Sequence, residues 1–255
     1  MAGSEAGKGP AAVGIFAKRP RPGEVKTRLA PALGAEGAAE LARALLDDAV
    51  GRLGREGREG ERGAGTRLEL AFAPAGERAW FAERYPGLAL RAQRGAGLAE
   101  RLETWFREVL AAGAPAAVAV GSDSPWTDGA RVAAALAHLE AGADLVLGPD
   151  LGGGYYLVAM GRPHPGLFTD ITMSTGTMFD ETLAWCAARG LVVELLPEDY
   201  DLDEPVDLER LARDLAAPDE RRGDVDPADR PRAVEAVLAA RAEHPADDPG
   251  EETSR

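Results

Sequence analysis

Asparagine is missing from this chain altogether, and glutamine, isoleucine, lysine and cysteine are nearly so: one Gln, two Ile, three Lys and one Cys among 255 residues. A single cysteine excludes an intramolecular disulfide. Without a His partner nearby, Cys186 reads with Trp185 as core packing rather than chemistry. Long apolar runs are also absent, so no stretch reaches membrane-spanning length, and no N-terminal segment combines a basic region, an apolar run and a cleavage site. The expectation is a cytoplasmic protein that does not engage a membrane. Basic charge is scarce: 29 Lys and Arg against 43 Asp and Glu leave a net charge of −14. Nucleic acid and anionic membrane surfaces both demand a basic face, so both are disfavoured as partners. Any anionic ligand must be met by a local cluster of cations.

What is present is a hydrophobic share of 45%, enough in a chain of this length for one substantial core. The expected organisation is a leader at 1–10, one α/β domain at 11–216, and a charged accessory tail at 217–255 that carries a short helix from Arg232 to Glu243. Usage drifts toward Ala, Gly and Arg, with Arg supplying 26 of the 29 basic residues. A residue that has escaped such a drift is a better functional candidate. Two of the three lysines, Lys18 and Lys26, share one loop, two of the five serines flank Asp123, and two of the four tyrosines are Tyr155 and Tyr156.

Ala12 to Ala17 reads as a buried strand. From Ala35 to Leu53, apolar residues at Ala38, Leu41, Ala42, Leu45, Leu46 and Ala49 follow helical spacing, with Asp47 and Asp48 on or beside the exposed face. A Gly-, Arg- and Glu-rich surface insertion fills 54–66. Strand patterns at Arg67–Ala73, Leu88–Arg91, Ala116–Val120, Ala143–Leu147 and Leu191–Leu196 then alternate with helical ones at Glu77–Tyr85, Leu98–Ala112, Arg131–Ala141 and Val206–Ala216. A further strand starts at the tyrosine pair, and a helix ending near Ala188 has Ser174 or Thr175 as its N-cap. Such alternation predicts a mostly parallel sheet covered on both faces.

Four loops carry the chemistry. Gly121-Ser122-Asp123-Ser124-Pro125 follows a buried strand, which delivers Asp123 to the crevice where open α/β sheets bind ligands. An Asp there is suited to a hard cation; the competing reading is an N-cap for the next helix, shared with Ser124 or Thr127. The loop from Lys18 to Arg28 sets five cations against one carboxylate, is stiffened by Pro20 and Pro22 and turns at Gly23, which suits a diphosphate or triphosphate. It lacks the glycine spacing of a Walker loop, and the competing reading is a solvated basic turn. Gly152-Gly153-Gly154 lets backbone amides approach a ligand, or else marks a hairpin with tyrosines in the core. Asp203 brings a second carboxylate to a strand end, or else caps the helix opened by Pro205.

The ordered set KRPRPGEVKTRL (Lys18 to Leu29), GSDSP (Gly121 to Pro125), GPDLGGGYYL (Gly148 to Leu157), MST (Met173 to Thr175) and DLDEPVDL (Asp201 to Leu208) resembles a bacterial family of GT-A-like transferases grouped with arsenosugar-biosynthesis glycosyltransferases. The architecture is also similar to nucleotidyltransferases that make molybdenum-cofactor dinucleotide or guanylylate phospholactate. The resemblance spans residues 12 to about 215 and implies a GT-A, Rossmann-like three-layer α/β/α sandwich with a mostly parallel central sheet. It further implies a metal-dependent transferase with a nucleotide sugar, or alternatively an NTP, as donor and a small molecule as acceptor. In that reading Asp123 and Asp203 hold Mg²⁺ or Mn²⁺, while Lys26 and Arg28 screen the donor phosphates from the other side. Phosphate contacts fall to Lys18, Gly23, Lys26, Thr27, Arg28, Ser122, Gly153 and Gly154, and substrate contacts to Asp150, Tyr155, Ser174 and Thr175. Two departures stand out: Gly152 replaces the family's Asp before Gly-Gly-Tyr-Tyr, and Met173 replaces its Trp. Either Asp150 substitutes from a displaced position or a contact is lost, and a loss would leave a non-catalytic nucleotide binder.

Overall fold

The computed structural model describes residues 9–56, 65–216 and 229–243. Most of the leader, the 57–64 stretch of the Gly-rich insertion and the remainder of the tail lie outside them. Strand β1 (Ala11–Lys18) has Val13, Ile15 and Ala17 buried on one face and Ala12 on the other. That is the period-two signature of a strand enclosed on both sides. Helix α1 (Ala30–Glu56) is broken at Gly34, which takes φ 70°, so the regular helix starts where the apolar spacing begins. There follow β2 (Thr66–Ala73), α2 (Arg78–Arg84), β3 (Ala89–Ala92), α3 (Leu98–Ala111), β4 (Ala117–Gly121) and α4 (Gly129–Glu140). The second half comprises β5 (Leu145–Pro149), β6 (Tyr155–Met160), α5 (Met178–Ala187), β7 (Val193–Leu195), α6 (Pro205–Ala216) and α7 (Arg232–Glu243).

The seven strands run in the order β3-β2-β1-β4-β6-β5-β7. All pair in parallel except β6, which is antiparallel to both β4 and β5. Chain order reverses at β1 and β4: the chain moves outward through β2 and β3, then returns to the other side of β1. Ligand crevices of open α/β sheets form at such a switch point, beyond the carboxyl ends of the strands. Here those ends are Lys18 and Gly121.

Two apolar layers cover the sheet. On one face Leu46, Ala49 and Leu53 of α1, Phe81 of α2 and Val132 and Ala135 of α4 pack on the strands. On the other, Leu102, Trp105, Phe106 and Val109 of α3 meet Trp185 and Cys186 of α5, as expected for core residues. Gly14 permits the second layer its closeness, since a Cβ there would lie 2.4 Å from the Trp105 ring. A third cluster joins Leu41 and Leu45 of α1 to Trp126, Tyr200, Leu202, Leu211 of α6 and Val234 of α7.

Two expectations need correcting here. Helix α7 is part of the core rather than accessory: Val234 is fully buried, and the amides of Ala233 and Val234 donate to Asp48 at 3.0 Å each. Asp48 therefore faces a helix N-terminus, where its charge meets unsatisfied N–H groups, and Asp47 binds Arg84 and the Tyr85 hydroxyl. The N-terminal position of α5 is Thr177, not Ser174 or Thr175. Ser174 instead adopts φ 62°, and the Thr175 hydroxyl donates to the Thr172 carbonyl.

Candidate active site

Every loop singled out above leaves the sheet at the same edge, because β1, β4, β5 and β7 share one direction. Two of the loops are fastened together. The Leu202 amide donates to the Asp123 carbonyl at 3.0 Å, while the Leu202 side chain is fully buried. Asp201 and Asp203, flanking Leu202, are thereby held beside Asp123.

Between these carboxylates stands Lys26, whose backbone φ of 47° turns it inward from the basic loop. Its Nζ lies 2.7 Å from Asp123 Oδ1 and 2.9 Å from Asp203 Oδ1. Its side chain is only 4% exposed, against 45% and 55% for the two carboxylates. The ammonium thus forms the floor and the carboxylates the open rim. Burial alone would lower the Lys26 pKa, but the charges of Asp123 and Asp203 outweigh it and hold the ammonium above its ordinary value. In this structure Lys26 is paired directly with the two carboxylates.

Asp201, on the other side of Leu202 from Asp203, escaped the sequence reading. Its Oδ1 is buried with no hydrogen-bond partner. Burial raises its pKa well above the ordinary carboxylate value, the Asp123 charge adds to this, and Lys26 opposes it. The missed signal was a second carboxylate two residues before Asp203, across the buried Leu202. Asp150 is also near. Its pKa is raised by burial, lowered by the amides of Gly152 and Gly154, and raised again by Asp203 and Asp207.

Neither helix cap falls to the proposed metal ligands. Asp128 caps α4, accepting from the Arg131 amide at 2.9 Å. At α6 the Asp207 carboxylate reaches back to the amides of Asp203 and Glu204, at 3.1 and 2.9 Å. Asp123 and Asp203 are therefore free of the structural duty that was their competing explanation. Beneath the Asp123 loop lies Arg52 of α1, 2% exposed, donating to the carbonyls of Thr127 at 3.0 Å and Ser124 at 3.5 Å. Trp126 Nε1 donates to the Tyr200 hydroxyl, which donates to Asp214, and Arg131 pairs with Asp199. None of these supports was legible in the sequence, since each joins segments far apart in the chain.

The rest of the basic loop is largely paired as well. Arg19 and Arg21 both bind Glu77, and Arg28 pairs with Glu204 at 3.1 Å with its side chain 73% exposed. Among the described residues Lys18 has no such partner; it is exposed at the end of β1. Gly23 makes the turn at φ 77°, Thr27 is exposed, and Ser122 is half-buried after β4.

The glycine loop departs from expectation. Gly152 donates to Asp150 Oδ1 at 2.5 Å, and Gly153 donates to the Asp150 carbonyl at 3.0 Å. The Gly152 and Gly153 amides are thus taken up by Asp150. Gly153 takes φ 82°, and a Cβ there would lie 2.1 Å from the Gly176 carbonyl, so its glycine is required for packing. Tyr155 is partly buried against the α3 and α5 layer, and burial raises its pKa, with Thr182 as its polar neighbour. Tyr156 is 1% exposed and donates to the Pro197 carbonyl at 3.0 Å.

The family model described as an uncharacterised protein conserved in bacteria (DUF2064) matches residues 59–175. No curated protein matches the chain. A crystal structure of a Desulfovibrio desulfuricans G20 protein, provisionally assigned as a nucleotide-diphospho-sugar transferase, is similar over 92% of this chain and 96% of its own, with 27% identity and a TM-score of 0.77. The fold is thus the GT-A-like α/β architecture expected from the sequence. More distant is the CMP:2-keto-3-deoxy-manno-octonic acid synthetase complexed with CTP, at 11% identity and TM-score 0.49, covering 81% of this chain and 98% of that one. Glucosyl-3-phosphoglycerate synthase from Mycobacterium tuberculosis, in complex with Mn²⁺, UDP and glucosyl-3-phosphoglycerate, matches at 14% identity and TM-score 0.46, covering 93% and 81%. No helix among the described residues is long and apolar enough to cross a membrane.

Proposed function

We propose that this protein is a divalent-metal-dependent transferase that uses a nucleotide-activated donor, foremost a nucleoside-diphospho sugar. The observation that carries the reading is the Lys26, Asp123 and Asp203 cluster at the β1/β4 switch point, open to solvent on its carboxylate side. Neither carboxylate serves as a helix cap. The donor set fits Mg²⁺ or Mn²⁺, which take hard oxygen ligands, and the buried Asp201 Oδ1 without a partner is an unused acceptor beside it. Among the described residues no group of three or more acidic, His or Cys side chains stands ready to hold a metal, and the Lys26 ammonium lies between Asp123 and Asp203. Asp123 and Asp203 would hold the metal, which when bound neutralises charge on the departing nucleotide. Lys18, exposed at the end of β1, and Arg28, exposed beside Glu204, are the cations from which a diphosphate would accept. Asp150, tucked over the glycine loop and near Asp203, takes the displaced position of the family's Asp.

A second reading is nucleotidyl transfer, favoured by Ser122-Asp123-Ser124 supplying one carboxylate after β4 rather than a pair. There an acceptor phosphate attacks the α-phosphorus of an NTP and pyrophosphate leaves. Incubation with a panel of NTPs and nucleotide sugars separates the readings. Release of nucleoside diphosphate supports glycosyl transfer, and release of pyrophosphate supports nucleotidyl transfer. Micromolar nucleotide binding with no donor consumed would overturn both and leave a non-catalytic binder.

A further inference from the structure

Two glycines lie in the first turns of α1, Gly34 and Gly37, where each disfavours the helix. Gly34 breaks it, at φ 70°. Gly37 has another reason: a Cβ there would lie 2.0 Å from the guanidinium carbon of Arg241, in α7. The guanidinium is thus seated on the bare backbone of α1. From that seat its Nη1 donates to the Leu33 carbonyl at 2.6 Å and its Nη2 to Glu40 at 3.4 Å. Leu33 is the last residue before the break, and carbonyls at the end of a helical segment have no partner within it. A side chain 208 residues later in the chain supplies one. What precedes the break carries cations of the site. Leu29 donates to the Lys26 carbonyl at 2.9 Å, Ala30 to that of Thr27 at 3.3 Å, and Leu33 to that of Leu29 at 2.9 Å. Lys26 to Leu33 is therefore one bonded unit, joined to the rest of α1 through the break at Gly34. Leu29 anchors it in the cluster that Val234 of α7 enters.

We propose that Arg241 is a positioning residue for the candidate active site: from its seat on Gly37 it holds the Leu33 carbonyl and so fixes the turn from Lys26 to Leu33. Lys26 reaches its carboxylates from a backbone at φ 47°, which L side chains rarely adopt, so the turn gains from support outside the loop. The ion pairs of Lys26 hold one end of the unit and Arg241 the other. Helix α7 thereby has a second duty besides covering the core. Release of the guanidinium frees the break at Gly34 to bend, and the Lys26 ammonium and Arg28 move with the unit. The effect expected on a phosphate ligand rests on the reading of this crevice as a nucleotide site, whereas the effect on Lys26 itself does not.

Two variants remove the contact from opposite sides. Arg241→Met deletes the guanidinium. Gly37→Ala should expel it, because a guanidinium is the far end of a flexible side chain and yields before the helix does. Alanine is otherwise the better helix former, so a weakened α1 would not account for the effect. In protein labelled with ¹⁵N at its lysine side chains, Lys26 is one of three lysines, and its signal is the one missing from Lys26→Arg. Hydrogen exchange at its buried ammonium should quicken about tenfold in both variants, the scale of one charge-assisted hydrogen bond. Binding of inorganic pyrophosphate with Mg²⁺, followed by calorimetry, should weaken about tenfold in both as well. The double variant should be no worse than either single one, since both remove the same contact. Unchanged Lys26 exchange in either variant, or effects that add in the double one, overturns the proposal. Should Arg241→Met fail to fold, Gly37→Ala alone decides. Faster exchange in a protein that binds neither pyrophosphate nor any nucleoside diphosphate would leave Arg241 as a positioning residue and remove the nucleotide reading. Unchanged exchange beside ordinary pyrophosphate binding would do the opposite.

Discussion

Asp123 and Asp128 share one loop after β4, and their carboxylates do different things. Asp128 accepts from the Arg131 amide and caps α4, whereas Asp123 meets Lys26 at the mouth of the crevice. Asp128→Ala should cost about 1 kcal/mol of stability, the usual effect of losing a cap, and leave metal-dependent nucleotide binding close to normal. Asp123→Asn should do the reverse, nearly abolishing that binding while moving the unfolding midpoint little. Its carboxylate is 45% exposed, so the lost ion pair is weakened by solvent in any case. Calorimetric binding and thermal melts on both variants check this, and a large melting shift for Asp123→Asn with intact metal dependence would reassign it to structure. Both acids were visible in the sequence, but which one caps was not, because that depends on where α4 starts within a two-residue uncertainty of any boundary reading.

At the scale of elements, α7 shows how a charged stretch can still belong to the core. It is flanked by charge and carries Arg and Glu itself, yet Val234 enters the cluster formed by Leu41, Leu45 and Leu211, and Asp48 of α1 receives its first amides. Asp48→Ala should cost about 1 to 2 kcal/mol through the lost cap. Ending the chain after Ala216 should cost more, since exposing the surface that Val234 covers adds about 1.5 to 3 kcal/mol. Urea unfolding of the two variants tests the assignment, and unchanged midpoints in both would return α7 to the status of an appendage. The helices and strands themselves were legible wherever apolar spacing was regular. What escaped was the partner of each face: nothing in the local pattern of Asp48 says that a helix nearly two hundred residues later begins against it.

For the whole molecule, the carboxylates divide into two groups with opposite consequences for pH. Burial first, then neighbouring charge, raises the pKa of Asp201, and burial likewise raises Asp48 against the amides of Ala233 and Val234. The folded protein binds those protons more tightly than the unfolded chain does. Stability from them is therefore lost as pH rises above the unfolded value of about 4 toward the raised one. Asp144 and Glu181 are shifted down, chiefly by the backbone amides of Val192 and Thr172. Their contribution is present above the unfolded value and lost as pH falls through the depressed one. The metal-free protein should accordingly melt higher at mildly acidic pH than at pH 8 and lose stability steeply below about pH 4. Asp201→Asn should melt above the natural protein near neutrality, with the two converging as pH approaches the carboxylate range. Melts in chelator across pH 3 to 9 decide it, and a variant less stable than the natural protein at neutral pH would contradict the assignment of Asp201 as a strained buried acid.

The sequence by itself determined the α/β class, the near-complete alternation of strand and helix and the four loops worth watching, because periodicity and turn residues are local properties that each segment carries alone. It placed Lys26, Asp123 and Asp203 among the candidates through residue type and position after strands. Only the tertiary structure decided that Lys26 pairs with both carboxylates and that the Gly152 and Gly153 amides are taken up by Asp150. The reason is physical: the cluster is assembled by a backbone bond from Leu202 to Asp123 and a buried Arg52 under the loop. Both link distant segments whose meeting depends on strand order, and strand order is set by packing of the whole chain.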